Sequence, residues 1–257
     1  MAGTSSIEWT EATWNPVTGC DRVSAGCDHC YAMALAKRLK AMGNPRYQAD
    51  GRPETSGPGF GVTLHPDVLD VPSRWRRPRV IFVNSMSDLF HPRVPDDFIA
   101  DVFAAMARCP QHTFQILTKR PKRMAALVAR LQPEPLPNVW LGTSVEAAAV
   151  LDRVDSLRRT PAAIRFLSLE PLLGPLPGLE LADIAWVITG GESGPHSRPI
   201  DLAWVVEIRD LCLEADVAFF HKQWGGRTPK AGGRLLEGRT WDQMPQASPA
   251  DARMLVA

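Results

Sequence analysis

Three thiols crowd into residues 20–30 of the chain: Cys20, Cys27 and Cys30, with six and then two residues between them. Thiolates are soft ligands for zinc and for iron–sulfur clusters. A closed structural zinc site takes four ligands, commonly as two spaced pairs, and no second cysteine pair follows here. His29, directly beside Cys30, is an awkward fourth ligand. Three thiolates suit a cubane cluster with one iron left open to another ligand. Gly19 and Gly26 precede the first two cysteines, and glycine lets backbone wrap tightly and turn amides toward sulfur. An iron–sulfur cluster, a zinc ion and unligated thiols all stay open on the spacing alone. The other two of the five cysteines, Cys109 and Cys212, fall in apolar helical stretches and read as buried thiols. In a reducing compartment a cluster of this kind reads as metal binding rather than disulfide.

A second set of reactive side chains follows a series of short apolar runs. The runs are Val80–Val83, Thr113–Leu117, Val139–Leu141, Ile164–Leu167, Ile184–Ile188 and Val217–Phe220, and a short strand near Thr13–Trp14 makes about seven. Helical patterns separate most of them. Phe98, Val102, Phe103 and Met106 keep a 3.6 period, as do Met124, Leu127, Val128 and Leu131. Strands alternating with helices predict parallel βα units, hence a doubly wound sheet or a barrel. The runs are apolar throughout, as strands covered on both faces must be. Residues 32–42 predict a helix directly after the cysteines. Residues 43–79, rich in Gly and Pro, predict a long irregular excursion over one barrel end. A single domain is expected over 1–245, with a flexible tail over 246–257.

Just past the runs stand Ser85 to Asp88, Thr118-Lys119-Arg120, Thr143-Ser144-Val145-Glu146, Ser168-Leu169-Glu170, Gly190 to Ser193 and Lys222-Gln223. Catalytic groups of parallel α/β folds sit at the carboxyl ends of strands, so these residues predict one concave site. Helix capping accounts for Thr143 and Ser193. It accounts poorly for Lys119, Glu170, Glu192 and Lys222. Glu170 and Glu192 are the candidate catalytic residues, and His91 is a further candidate for the pocket.

The chain has 257 residues, formal net charge +1, 45% hydrophobic and 22% charged residues. Those values exclude a disordered or fibrous protein and a strongly basic nucleic-acid coat. No apolar run approaches a membrane span and no targeting pattern opens the sequence, so a cytoplasmic protein is expected. Basic residues cluster locally. Arg74, Arg76, Arg77 and Arg79 surround Trp75; Lys119, Arg120, Lys122 and Arg123 form a second group; Arg227, Lys230, Arg234 and Arg239 follow Trp224. Basic clusters with interleaved aromatics suit phosphate contact and base stacking, although each alone is an ordinary solvated face. The candidate substrate or nucleic-acid contacts are Arg74, Trp75, Arg76, Arg77, Arg120, Lys222 and Trp224.

The phrases Asn15-Pro16-Val17-Thr18-Gly19-Cys20 and Gly26-Cys27-Asp28-His29-Cys30-Tyr31-Ala32 resemble the cluster loop of radical S-adenosylmethionine (radical SAM) enzymes. The branch of spore photoproduct lyase is the most similar. Residues 7–245 also resemble an uncharacterised phage and bacterial family with a three-cysteine motif. The matching phrases include residues 82–91, 116–121, 140–146, 167–172, 190–194 and 222–225. The resemblance implies an α/β fold, a partial (β/α)6–7 TIM-like barrel of the radical SAM type. It implies a [4Fe–4S] cluster on Cys20, Cys27 and Cys30, with S-adenosyl-L-methionine chelating the fourth iron. One-electron reduction by an external electron donor would release a 5′-deoxyadenosyl radical. His29 would pack against adenine. Ser87 and Asp88 would take the cofactor's amino group, Lys119 its carboxylate, and Ser144 would complete the set.

Two departures from the radical SAM pattern stand out. The first cysteine gap is longer than the usual one by three residues. The common Gly-Gly-Glu after the second strand is replaced by Ser87-Asp88, while Gly190-Gly191-Glu192 follows a much later strand. Two rivals remain beside an enzyme acting on a nucleic acid, nucleotide or related phosphorylated compound. One is a metal-stabilised nucleic-acid-binding protein; the other is a catalytically silent barrel that serves as a partner subunit.

Overall fold

The computed structural model describes residues 2–245. Strand β1 (Ala2–Thr4) pairs antiparallel with β2 (Ala12–Trp14), and the short β3 (Val17–Thr18) pairs antiparallel with β4 (Thr63–Leu64). Then come β5 (Val80–Val83), β6 (Thr113–Thr118), β7 (Val139–Ser144), β8 (Ile164–Leu169), β9 (Trp186–Gly190) and β10 (Ala218–Gln223). The main sheet runs β1-β2-β5-β6-β7-β8-β9-β10, and every pair from β2 onward is parallel. Helix α1 (Tyr31–Ala41) lies between β2 and β5, α2 (Asp96–Ala107) between β5 and β6, and α3 (Pro121–Leu131) between β6 and β7. Helix α4 (Asp152–Arg158) precedes β8, and α5 (Leu202–Glu214) precedes β10. No helix separates β8 from β9.

The strand order never reverses. Right-handed crossovers then place every helix on one face, and the sheet wraps around the other. The doubly wound alternative is thereby replaced by a partial barrel of seven parallel strands with one antiparallel edge strand. Side chains divide by period two. Ile81, Val83, Phe114, Ile116, Leu141, Leu167, Val187 and Phe219 join the large core under the helices. Their neighbours Phe82, Trp140, Phe166, Trp186, Ile188 and Phe220 form a separate inner cluster with Trp9. Trp9 precedes β2, yet its ring lies 4.8 Å from Phe82 and 6.1 Å from Trp186 on β9. Contact between such distant strands requires the sheet to curl.

The expected strands hold, with ends that shift. The run Ile184–Ile188 becomes Trp186–Gly190, and β6, β7, β8 and β10 carry on into their polar ends. A ladder is made of backbone, so polar residues extend it wherever their side chains point into the open barrel. Residues 43–79 carry β4 and three short 3-10 turns. Tyr47 and Phe60 from this segment are buried with Ala32, Ala36 and Met86, which fixes it against α1. The tail expected over 246–257 lies outside the described residues. Among the described residues no helix is long and apolar enough to cross a membrane.

Two expectations follow. A Cβ on Gly142 would stand 2.5 Å from the Phe166 ring, so Gly142→Ala overpacks the inner cluster. It is expected to cost about 1–3 kcal/mol, read as a lower urea midpoint at unchanged slope. Burial pushes His65 and His221 from 6.5 down to about 4. Between those values the unfolded chain binds protons that the folded one refuses, so stability falls as pH drops from about 6.5 to 4. Denaturation midpoints across that range measure the effect, and His221→Gln flattens it.

Candidate functional site

The cysteine loop leaves β3 at the carboxyl rim of the barrel. Gly19 has φ +85°, and a Cβ there would stand 2.1 Å from the Gly61 carbonyl, so only glycine brings the two backbones this close. Its amide donates to the Met86 carbonyl at 3.0 Å, which sets the loop beside the end of β5. Ser24 opens a short 3-10 turn over Ala25–Cys27, and Cys30 sits at the N-cap of α1. The first-turn amides of Ala32 and Met33 point at the Cys30 sulfur. Burial pushes the Cys30 thiol up, and pushes Cys20 up to about 12 with help from the Asp88 charge. All three thiols are free and half-buried, and Cys27 acts electrostatically on both others. Among the described residues no three His, Cys, Asp or Glu side chains converge closely enough to hold a single metal ion.

Asp88 is the hub of this rim. Its side chain is 7% exposed and accepts from four protein donors: Phe90 N at 2.9 Å, Thr118 Oγ1 at 2.7 Å, Lys119 N at 3.1 Å and Arg120 Nη1 at 3.0 Å. A carboxylate offers about four lone-pair positions, so this one is filled. Asp88 thus meets four protein donors where a ligand ammonium is expected from the sequence. Arg120, expected as a substrate contact, faces inward. Its side chain is 12% exposed and donates to Asp88, to the Cys20 sulfur at 3.4 Å and to the Asp21 carbonyl at 3.0 Å. Ser87 donates to the Val17 carbonyl at 2.9 Å and fastens β3.

Two further carboxylate–arginine pairs hold the same loop. Glu146 after β7 is buried; it accepts from Arg153 at 2.9 Å and from the Gly26 amide at 3.2 Å. Arg153 also donates to Ser24 Oγ at 2.8 Å. Glu192 after β9 accepts from Arg198 at 2.6 Å and meets His29 Nδ1 at 2.7 Å. Arg198 reaches on to the Ala25 carbonyl at 2.9 Å and to Asp28 at 3.4 Å. Its guanidinium and backbone amide, with His29, outweigh burial and hold the Glu192 carboxyl down at about 2. Glu192, a candidate catalytic residue, is thus committed to positioning the loop, and His29 is committed to Glu192. His91 lies on the far side, buried, with Nε2 3.0 Å from Asp21. The Arg93 amide donates to its Nδ1 at 3.1 Å, so Nε2 carries the proton and donates to Asp21. Asp21 also accepts from Thr55, Ser56 and Arg93, which ties the excursion to the cysteines.

The open wall carries the remaining groups. Period two puts Ser144, Ser168, Gly190 and Lys222 on the inner face above the aromatic cluster. Lys222 pairs with Glu170 at 2.7 Å, and Ser168 Oγ donates to Glu170 at 3.3 Å. A Cβ on Gly190 would come within 2.9 Å of Glu170, so its absence leaves that carboxylate room. Lys119 lies close enough to Cys30 and Glu146 to lower both their pKa values. Among the described residues neither the Lys119 ammonium nor the Ser144 hydroxyl makes a hydrogen bond or ion pair. Tyr31, beside Cys30, donates to the Ser85 carbonyl at 2.6 Å while 57% exposed, so it faces the solvent-filled mouth.

Arg74, Trp75, Arg76 and Arg77 stand elsewhere. They precede the first residue of β5, and Trp75 lies 6.0 Å from His112, which precedes β6. That is the amino rim, at the opposite end of the strands from the cysteines. Trp75 packs on the helix-side core with Arg79 5.2 Å over its ring, so the structure does not bring this expected nucleic-acid contact together with the strand-end groups. Trp224 donates to the Leu235 carbonyl at 2.8 Å and faces His221 at 4.5 Å, also outside the inner wall. Arg153, Arg198 and Asp21 were absent from the sequence candidates.

Removing Arg120 leaves the buried Asp88 charge without its ion partner. Arg120→Ala is expected to cost up to about 3–5 kcal/mol in urea denaturation, and to slow alkylation of Cys20 in the folded protein, because the sulfur loses the guanidinium that favours its thiolate and keeps the Asp88 charge that opposes it. A cost under about 1 kcal/mol would mean that water screens the pair.

No curated protein matches the chain. Solved structures of spore photoproduct lyase are similar to it. One, with bound AdoMet and dinucleoside spore photoproduct, has TM-score 0.46 and 11% identity over 74% of this chain and 58% of that chain. A point mutant has TM-score 0.47 and 11% identity over 75% and 58%, and another has 0.44 and 11% over 100% and 74%. The chain thus spans 58% of the length of the first of these lyase chains. A family model matches residues 4–245, and the chain belongs to that family, described as "Protein of unknown function (DUF5131)".

Proposed function

We propose that the protein is a radical SAM-type iron–sulfur enzyme whose substrate is a nucleic acid, nucleotide or related phosphorylated compound. The observation that carries the reading is the loop itself. Three half-buried thiols share one rim of an open half-barrel, and the ends of several strands hold them there. Thiols that neighbour one another without meeting at a point suit the corners of a cluster better than the ligands of one ion. The Ala32 and Met33 amides and the Arg120 guanidinium supply hydrogen bonds to sulfur, which thiolate-bound clusters need.

In this reading Cys20, Cys27 and Cys30 hold a [4Fe–4S] cluster. With S-adenosyl-L-methionine bound and one electron from an external donor, such a cluster would supply reductive cleavage of the sulfonium C–S bond, with methionine as the leaving group, and so hydrogen-abstraction chemistry at a C–H bond. Lys119 and Ser144, without a hydrogen-bond or ion-pair partner among the described residues, would receive the cofactor's carboxylate. Asp88 and Ser87 act one step back: Asp88 orients Arg120 on Cys20, and Ser87 fixes β3. Glu146 and Glu192 hold the loop in register. The aromatic cluster closes the barrel's lower half and keeps water from entering beneath the reacting groups. Glu170 and Lys222 face the substrate from the inner wall.

Anaerobic reconstitution is expected to give brown protein with about four irons. Cys20→Ala, Cys27→Ala and Cys30→Ala each abolish this, while Cys109→Ala does not. Stoichiometric zinc in protein made without oxygen would sink the reading. Lys119→Ala keeps its iron and binds S-adenosylmethionine about ten- to a hundredfold more weakly, as loss of a charge-assisted hydrogen bond predicts. Equilibrium dialysis measures this, and unchanged affinity removes Lys119 from the cofactor site.

A further inference from the structure

The curled sheet does not close, and a cleft of about 340 Å³ lies across its two edges. One wall is Glu8, from the segment between β1 and β2; the other is Lys222, Gln223, Pro229, Lys230, Gly233 and Arg234, from β10 and the loop after it. That loop is folded rather than loose. Trp224 N donates to Gly233 O at 3.0 Å, Gly232 N to Gly225 O at 3.0 Å, and Ala231 N to Thr228 O at 3.1 Å. Residues 224–236 carry Arg227, Lys230 and Arg234 and no carboxylate. Among the described residues neither Lys230 nor Arg234 has an ion-pair partner. Arg234 is pinned by its Nε to the His221 carbonyl at 3.4 Å, with its guanidinium 5.0 Å over the Phe220 ring. Its Nη2 is buried and has no hydrogen-bond partner. A guanidinium N–H without an acceptor is costly to leave, so the Arg234 side chain keeps hydrogen-bonding capacity that the protein itself does not use.

We propose that this cleft is a phosphate-binding subsite, which takes the anionic group of the substrate in the reaction proposed above and therefore rests on that reading. Arg234 supplies a fixed fork and Lys230 a mobile point charge, a combination that recognises phosphate oxygens. Lys222 links the cleft to the inner wall, because its ammonium is held by Glu170. A phosphate anchored here leaves the rest of its molecule running along that wall toward the cysteine rim.

The test is calorimetric titration of the full chain with thymidine 5′-phosphate, thymidine and short oligothymidylate, at two salt concentrations. Thymidine 5′-phosphate is expected to bind at least about tenfold more tightly than thymidine. Arg234→Gln and Lys230→Gln each remove most of that difference and lower the salt slope by about one. The pair Arg76→Gln with Arg77→Gln, on the opposite rim, changes neither. Oligothymidylate binding no tighter per phosphate assigns the subsite to small phosphorylated substrates; tighter binding assigns it to a strand, and either result retains the subsite. Equal affinity for thymidine and its phosphate overturns it, as does loss of binding only in the Arg76/Arg77 variant. Iron content and S-adenosylmethionine binding of the unaltered protein are measured beside these titrations. Their failure would overturn the enzymatic reading without bearing on phosphate affinity.

Discussion

A buried ion pair between Asp88 and Arg120 organises the reactive end of this protein. Neither charge is tolerable alone at that depth, so the loops after β5 and β6 take up their positions together or not at all. Arg120 then spends its remaining donors on the Cys20 sulfur and the Asp21 carbonyl. The device recurs twice around the rim. Glu146 with Arg153 grips Ser24 and Gly26, and Glu192 with Arg198 grips Ala25, Asp28 and His29. Three carboxylate–arginine pairs, with carboxylates after β5, β7 and β9, thus hold one irregular loop at three places. The loop has little secondary structure of its own, and its geometry is borrowed from the sheet.

The barrel's two ends divide the labour. Below, Trp9, Trp140, Phe166 and Trp186 fill the inside, and Gly142 supplies the space that the Phe166 ring needs. Above, the same inward positions turn to serine, glycine, glutamate and lysine. A single strand such as β8 makes the change within its own length, from Ile164 and Phe166 to Ser168. The apolar half excludes water and stiffens the wall; the polar half presents groups that can exchange partners.

Much of this was legible in the sequence. Strands buried on both faces are apolar throughout, so the runs from Val80 onward announced a parallel sheet, and the polar residues ending them announced its working rim. Charge was harder to place. Lys119 and Arg120 are adjacent and read as one basic cluster, yet successive residues at a strand end face opposite ways. One enters the open site and the other turns into the protein. Arg74, Trp75, Arg76 and Arg77 have the composition of a nucleic-acid contact, but they precede β5 and so belong to the wrong end of the barrel. Arg153 and Arg198 meet the cysteine loop across 129 and 170 residues of chain, and no local pattern encodes a pairing at that separation.

Those separations bear on how the protein is made. The thiols lie within the first thirty residues, whereas the groups that clamp their loop are supplied by residues 88–198. Contacts of such long range form late in folding. At translation speeds of about 5–20 residues per second, the cysteines leave the ribosome on the order of ten to thirty seconds before Arg198 is synthesised. Through that interval they belong to a nascent chain with no finished socket, open to stray metal and to oxidation. The socket around these thiols is therefore finished only once residue 198 has been made, and the yield of correctly folded protein depends on how well the cell guards three unsupported thiols until the last clamp arrives.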